Sequence, residues 1–266
     1  MGSICSSSFV SPVSGPYEGH AVKVLLTGGS GRLGQELQPL LPEVVAPSSA
    51  ELDLTRPGSL VMALATHAPD VVVHAAAYTD VRGAESDRER CWAVNVDGTR
   101  NLVRAIGDIP LVYISTDYVF YGDGGGYRET DPVGPVRNYY ALSKLAAETV
   151  ARVAPRHLVV RTSFRPRDWP YPTAFDDLYT SQDYVDVIAP DIALAIRELE
   201  AIPYDTLHIA TARKRVFDLA RQRSPSVQAG SKAAAGVDLP DDISLDITRW
   251  QGLKPQLSAR EMPKNR

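Results

Sequence analysis

Short apolar runs alternate with longer stretches of helical period from Ala21 onward, and this alternation constrains the fold more than any other feature of the chain. "AVKVLLTG", "EVVA", "DVVVHAAA", "PLVYIST", "HLVVRTS" and "TLHIAT" are apolar nearly throughout rather than at every second residue. A strand apolar on both faces must be covered on both faces, so these runs predict a parallel sheet with helices packed above and below it. The intervals supply the helices. "GRLGQELQPLLP" sets Leu33, Leu37, Leu40 and Leu41 at helical spacing before Pro42 ends the run. "PGSLVMALATHAP" and the long "AESDRERCWAVNVDGTRNLVRAIGD" read as two more, and "NYYALSKLAAE" lies in a fourth.

The pattern changes after Ser163. "FRPRDWPYPTAFDDLY" is dense in proline and aromatics, has no period and is expected to be irregular. Order returns with a helix in "PDIALAIREL", the strand "TLHIAT" and a helix in "KRVFDLARQR"; the tail beyond "SPSVQAGSKAAAGVDLP" reads as mostly loop, with "GSKAAAG" as a flexible linker. The expected class is α/β: a Rossmann-type doubly wound parallel sheet with a small C-terminal substrate lobe. Residues 1–20, rich in Ser, Gly and Pro, read as a disordered leader. Residues 21–163 form the dinucleotide-binding part, and 164–266 form a reduced lobe plus elements returning to the sheet over about 185–222.

Composition excludes several classes. A net charge of -4 without a long basic run gives no electrostatic grip on nucleic acid or acidic lipid. No apolar stretch is long enough to span a bilayer. Two cysteines, Cys5 and Cys91, cannot build a disulfide framework, and a reduced cytoplasmic location is the simplest expectation. The five histidines are scattered without metal-ligand spacing, and no G-x-S-x-G nucleophile elbow occurs, so neither a metal centre nor a serine hydrolase is expected. Long exposed helices would permit a homodimer.

"LLTGGSGRLGQEL" places Gly28, Gly31 and Gly34 in G-x-x-G-x-x-G spacing where the first strand meets the first helix. Glycines there permit a tight turn and let backbone N–H groups approach a pyrophosphate, favoured also by the positive end of the helix. The segment "VVAPSSAELDLT" carries Pro47, Ser48 and Ser49 where an acid would hold a ribose 2′-hydroxyl. Without that acid a 2′-phosphate is not repelled, and Arg32 can attract it. NADP is therefore the first choice of cofactor, ahead of NAD. Asp53 is placed to meet the adenine ring, or else simply marks a helix boundary.

In "NYYALSKLAAE" a phenol at Tyr140 and an amine at Lys144 stand at i and i+4, one helical face, with Cβ atoms roughly 5 to 6 Å apart. Either they share a site, or they are a half-buried aromatic beside a solvated lysine. The glycine loop, "ELDLT", "HAAAYTDVRGAE", "NVDGTRNL", "YISTDYVFYG" and "YYALSK", in this order, resemble the extended short-chain dehydrogenase/reductases, closest to the dTDP-4-dehydrorhamnose reductase group. The similarity covers roughly 22–163 closely and "SLDITRWQGLKP" more loosely.

The resemblance implies a catalytic set of Thr116, Tyr140 and Lys144. The threonine hydroxyl holds the substrate oxygen, and the tyrosine exchanges the proton. The lysine lowers the phenol pKa and holds the nicotinamide ribose. It further implies a cofactor-binding set of Gly28, Ser30, Gly31, Arg32, Leu33, Gly34, Asp53, Leu54, Ala75, Ala76, Ala77, Tyr78, Asn95 and Ser115, with Tyr140 and Lys144. Thr79, Asp117 and Tyr118 are implied to face the substrate, a nucleotide sugar. The activity implied is NAD(P)H-dependent reduction of a keto group on that sugar.

The chain departs from the family between "RTSF" and "YVDVIAPDIALAI", where relatives carry about one more helix. Arg165, Arg167, Trp169 and Tyr171 could there meet a charged or ring-bearing substrate, or form an exposed loop or partner surface. The shorter segment keeps a second function open: a dinucleotide-binding regulatory or partner-binding subunit with little turnover.

Overall fold

The computed structural model describes residues 22–235 and 238–261; the expected leader lies outside them. Six strands form one parallel sheet: β1 (Lys23–Thr27), β2 (Glu43–Val45), β3 (Val71–His74), β4 (Leu111–Thr116), β5 (His157–Thr162) and β6 (Thr206–His208). Their order across the sheet is β2-β1-β3-β4-β5-β6. The chain leaves β1 in one direction and returns to β3 on the other side, so a switch point opens between β1 and β3, where doubly wound sheets take their ligands. The helices are α1 (Arg32–Leu37), α2 (Pro57–His67), α3 (Gly98–Ile106), α4 (Tyr139–Ala151), α5 (Val185–Arg197), α6 (Val216–Arg223) and α7 (Thr248–Glu261).

Alternate residues of each strand feed opposite cores, as the two-residue period of a strand requires. Val24, Leu26, Val71, Val73, Val112, Ile114, Leu158 and Val160 pack against Leu33 and Leu37 of α1, Ile188 and Ile192 of α5, and Trp250 and Leu257 of α7. Leu25, Val72, Leu111, Tyr113 and Val159 face Leu60 and Leu64 of α2, Leu102 and Ile106 of α3, and Ala147 and Ala151 of α4. Each buried Val, Leu or Ile contributes about 1.5–3 kcal/mol, so the two cores hold the strand ends rigidly in place.

Several expectations need correction. The third predicted helix is broken: Gly83–Ser86 ends at Asp87, whose carboxylate accepts from Arg90 N (3.3 Å) and starts Arg88–Trp92. A π-helical turn, Ala93–Asp97, then joins it to α3. The segment after Ser163 is not irregular. Phe164–Arg165 pairs with Asp183–Tyr184, Thr173–Phe175 with Gln228–Gly230, and Tyr179–Thr180 with Lys214–Arg215. These strands of two or three residues are too short for a readable period. α5 begins at Val185, ahead of "PDIALAIREL", and carries Pro190 inside it.

The tail is not mostly loop either. α7 buries Trp250, Leu253 and Leu257 at i, i+3 and i+7, a stripe obscured by Gly252 and Pro255. The return to the sheet therefore extends past 222. Within "GSKAAAG", Ser231 donates to Asp177 Oδ2 (2.6 Å) and Lys232 N to Asp177 Oδ1 (2.8 Å), so the described part of that segment is tied down. Among the described residues, no helix is long and apolar enough to cross a membrane.

Candidate active site

The carboxyl ends of β1, β3, β4 and β5 open on one cleft of about 780 Å³, within the range of roughly 300–1,000 Å³ typical of small-molecule sites. One end is lined by Pro47, Ser49, Asp53, Leu54 and Arg32. The middle is lined by Gly28, Ser30, Gly31, Leu33, Gly34 and Ala75 to Ala77, and the far end by Ser115, Thr116, Asp117, Tyr118, Tyr140 and Lys144. Thr79 lines it as well.

Two glycines are demanded by geometry. Gly28 has φ +76°, and a Cβ there would stand 2.6 Å from Ala76 N; at Gly34 it would stand 2.2 Å from Gly28 O. The loop is closed by Gly31 N to Gly28 O (2.9 Å) and latched from α1 by Gln35 to Ser30 O (3.0 Å) and Gln38 to Gly29 O (2.9 Å). A long cleft whose floor is bare backbone, with small Ala75–Ala77 side chains opposite, fits a flat, extended dinucleotide. Beside β2, Asp53 accepts from Thr55 N (2.9 Å) and Thr55 Oγ1 (2.7 Å), so it both caps the turn into α2 and lines the cleft.

β4 and α4 carry the reactive groups. Asn138 starts α4 by accepting from Ala141 N (2.8 Å), which sets Tyr140 and Lys144 facing the end of β4. Thr116 Oγ1 shares a hydrogen bond with Asp117 Oδ1 (3.0 Å) and accepts from Tyr118 N (3.2 Å), and the Tyr140 hydroxyl stands near it. The Tyr140 ring is half-buried and meets Tyr118 edge-on at 6.3 Å. Lys144 is buried, donates to Ile114 O (2.8 Å) and sits 4.3 Å over the Tyr113 ring.

Burial dominates the protonation states here. It pushes Asp117 up to about 6, against the hydroxyls of Thr116 and Ser163 and the charge of Arg165. Desolvation also raises the Tyr140 phenol, helped by Asp117 and Tyr118, and lowers Lys144 to about 7, partly offset by Glu148. The expectation that Lys144 lowers the phenol pKa is therefore not met by this arrangement. The amine has lost much of its own charge to desolvation and is turned to a backbone carbonyl.

Behind these groups lies a layer of buried polar contacts. His74, pushed down to about 3 by burial and Lys144, is neutral. Thr99 spends its proton on Asn95 O (2.6 Å), so His74 Nε2 donates to Thr99 (3.0 Å) and Nδ1 accepts from Thr27 (2.8 Å). Asn95 does not line the cleft. It is buried under Tyr78, accepting from Tyr78 N (2.7 Å) and donating to Tyr78 O (3.2 Å) and to Ser143 Oγ (2.8 Å). Its sequence-expected place among the cofactor contacts is thus indirect, because the π-helical turn aims its amide at the backbone. Tyr78, expected among the cofactor contacts, does not line the cleft either, because its side chain lies against Gly83.

Arg165, one of the residues expected to meet the substrate or form an exposed loop, lines the cleft, and sequence reasoning missed Thr27, Val81, Thr162, Ser163, Phe164 and Gln182, which line it as well. Thr27, Thr162 and Ser163 sit at or just past strand ends, a position that could have signalled them. Arg165 and Gln182 are joined only by tertiary pairing, with Arg165 donating to Gln182 Oε1. A second cavity of about 790 Å³ adjoins the first and shares Val81, Tyr118 and Arg165 with it. Phe120, Trp169, Tyr171 and Phe175 line it along with Arg82 and Arg137, and Arg137 is ion-paired with Asp238. Arg167 points elsewhere and pairs with Glu36 of α1 through two bonds of 2.7 Å.

A family model described as RmlD substrate binding domain matches residues 22–190. A dTDP-4-dehydrorhamnose reductase of Streptomyces griseus is 45% identical over 150 residues, 53% of this chain and 49% of its own. One from Mycobacterium tuberculosis is 39% identical over 158 residues, 55% of this chain and 51% of its own. The chain thus spans about half the length of the curated relatives it matches. In three dimensions it superposes with TM-score 0.77 on a dTDP-4-dehydrorhamnose reductase from Bacillus anthracis in complex with NADP, at 26% identity over 89% of this chain and 93% of that one. A hypothetical dTDP-4-dehydrorhamnose reductase from Sulfolobus tokodaii gives TM-score 0.76 at 34% identity, covering 87% of this chain and 94% of that one.

Proposed function

The chain belongs to the family of the RmlD substrate binding domain, and from that premise we propose that it is an NAD(P)H-dependent reductase of a keto group on a nucleotide-linked sugar. The observation that carries this reading is the meeting of Thr116, Tyr140 and Lys144 at one end of a cleft whose floor is the glycine loop. NADP is the preferred cofactor: Arg32 and Ser49 line the cleft, with Pro47, Ser48 and Ser49 rather than an acid just after β2, and the B. anthracis relative is a complex with NADP.

When bound, the dinucleotide supplies the hydride. Tyr140 gives its proton to the keto oxygen as that oxygen becomes a hydroxyl, and a phenol with a raised pKa keeps its proton until the oxygen gains charge. Thr116 holds the same oxygen. Lys144, which donates to Ile114 O, would hold the nicotinamide ribose hydroxyls. Thr79 and Tyr118 border the substrate. Its rings and phosphates suit the aromatic and arginine lining of the adjoining cavity. That cavity, walled by residues 169–175, also weighs against the regulatory-subunit reading, because a non-catalytic subunit has no need of a second pocket opening on Tyr118. A cytoplasmic setting suits such an enzyme.

The test is an assay of NADPH oxidation with a panel of 4-keto sugar nucleotides, run beside calorimetric binding of NADPH. Oxidation with at least one of them is expected. Confirmed NADPH binding without oxidation by any of them would leave the regulatory subunit as the better reading.

A further inference from the structure

Hydrogen-bond arithmetic at Thr116 carries the reductase reading one step further, and rests on it. A threonine hydroxyl has one proton and two lone pairs. Tyr118 N takes one lone pair at 3.2 Å. Asp117 Oδ1 stands at 3.0 Å and the Tyr140 hydroxyl is the remaining neighbour.

If Asp117 is ionised it can only accept, so Thr116 must give it its single proton and offer the second lone pair to Tyr140. Both protons needed at the keto oxygen are then held inside the protein. If Asp117 is a neutral acid, its O–H takes the second lone pair of Thr116. The threonine proton and the Tyr140 proton are then both free to point at the substrate.

We propose that Asp117 works as a neutral carboxylic acid that donates to Thr116 Oγ1 and thereby turns the threonine's proton toward the substrate keto oxygen. Asp117 is thus a positioning residue for Thr116.

The surroundings favour the neutral form. Asp117 is buried, 1% exposed, and its Oδ2 has no partner at hydrogen-bond distance among the described residues, although the Ser163 hydroxyl is near enough to favour the charged form. An ionised carboxylate would leave that oxygen charged and unpartnered, which is far costlier than a neutral carbonyl. Around it stand Tyr118 on its own turn, Tyr140 on α4, and Ser163 and Arg165 just past β5. Arg165 is the one cation among these groups, and it is engaged by Gln182 and by the Trp169 ring at 5.4 Å. Burial accordingly outweighs it and holds the carboxyl up at about 6, so the neutral acid prevails below that pH and is the minor form at pH 7.

The decisive pair is Asp117→Asn and Asp117→Ala in the full chain, assayed across pH with NADPH and a keto sugar nucleotide that the wild type reduces. The asparagine amide donates to Thr116 and cannot ionise. D117N should lose less than about threefold in kcat at acid pH and exceed the wild type at alkaline pH. D117A should lose about tenfold or more, and Thr116→Val with D117A should lose no more than Thr116→Val alone.

Isotope-edited infrared spectra of the protein with NADP should show a protonated carboxyl that titrates near pH 6 and is missing from D117N. Thermal unfolding confirms that each variant is folded. Equal kcat losses in D117N and D117A, or an acid band that persists in D117N, overturn the proposal. A wild type that reduces no keto sugar nucleotide removes the reductase reading itself, and this inference with it.

Discussion

On the sheet side of the cleft, Thr27, Thr116 and Thr162 are the last residues of strands five or six residues long, buried almost throughout between two layers of helix. On the lobe side, Arg165 and Gln182 stand on or beside strands of two residues. Charged pairs distant in sequence tie this lobe together, such as Lys214 with Asp183 (2.7 Å) and, beside the neighbouring pair of short strands, Arg213 with Asp242 (2.5 Å). The sheet side is fixed by apolar burial, which is non-directional and tolerant of exchange. The lobe side has only a small apolar cluster, Ala174, Leu178, Val216, Ala220 and Val227, and leans more on directional contacts. A fold built this way can keep its cofactor wall constant while its substrate wall changes.

The sharpest way to break this contrast is to remove a charge from each side. On the sheet side, Glu148 of α4 is buried with Arg161 of β5, accepting from Arg161 (2.7 Å), Ser115 (2.6 Å) and Arg152 (2.9 Å). Glu148→Ala leaves Arg161 buried without its partner, and should cost about 3–5 kcal/mol in urea unfolding. Burial tends to raise the carboxyl pKa of Glu148, but Arg161, Ser115 and Arg152 prevail and lower it. Its contribution is therefore present above the ordinary glutamate value and fades as pH falls through the lowered one, so the gap between wild type and variant should narrow in acid. A gap that stays constant down to strongly acid pH would show that the pair acts by packing rather than charge.

Next in size is Tyr140→Phe, which probes where the two walls meet. It removes one oxygen, so NADPH affinity should stay nearly intact while kcat falls by a factor on the order of a hundred or more. Turnover close to wild type would detach the phenol from the chemistry.

What could be read in advance follows the same divide. The glycine spacing, the threonine ending "YIST" and the Tyr140–Lys144 helix face are local, because a turn, a strand end and a helical turn each fix their side chains within a few residues. The π-helical turn that buries Asn95 was not legible, since it depends on Tyr78 and Ser143, 17 and 48 residues away. Gln182 is 17 residues from Arg165 and entered the cleft only through the Phe164–Arg165 and Asp183–Tyr184 pairing. The protonation of Lys144 also escaped, because one-turn spacing to a tyrosine says nothing about desolvation.

A smaller effect is expected at the adenosine end. Arg32 is exposed on the glycine loop, close to Ser49. Arg32→Ala should weaken NADP binding about tenfold while leaving NAD nearly as before, as removal of one charged phosphate contact predicts. Equal losses for both cofactors would mean that Arg32 only shapes the loop.

The smallest effect belongs to the lobe. Arg213 pairs with Asp242 and lies over the Tyr179 ring at 3.7 Å, but about half of its side chain is exposed. Asp242 is buried, but it also accepts from Ser244 N (3.0 Å), so Arg213→Ala leaves its charge partly compensated. The expected loss is under about 1 kcal/mol, screened further by salt. Measured beside Glu148→Ala, this variant tests the contrast directly, because a comparable loss at both sites would mean that the lobe is held as firmly as the sheet. A small loss with a raised KM for the sugar nucleotide would instead show a wall that costs little to loosen yet sets what the cleft accepts.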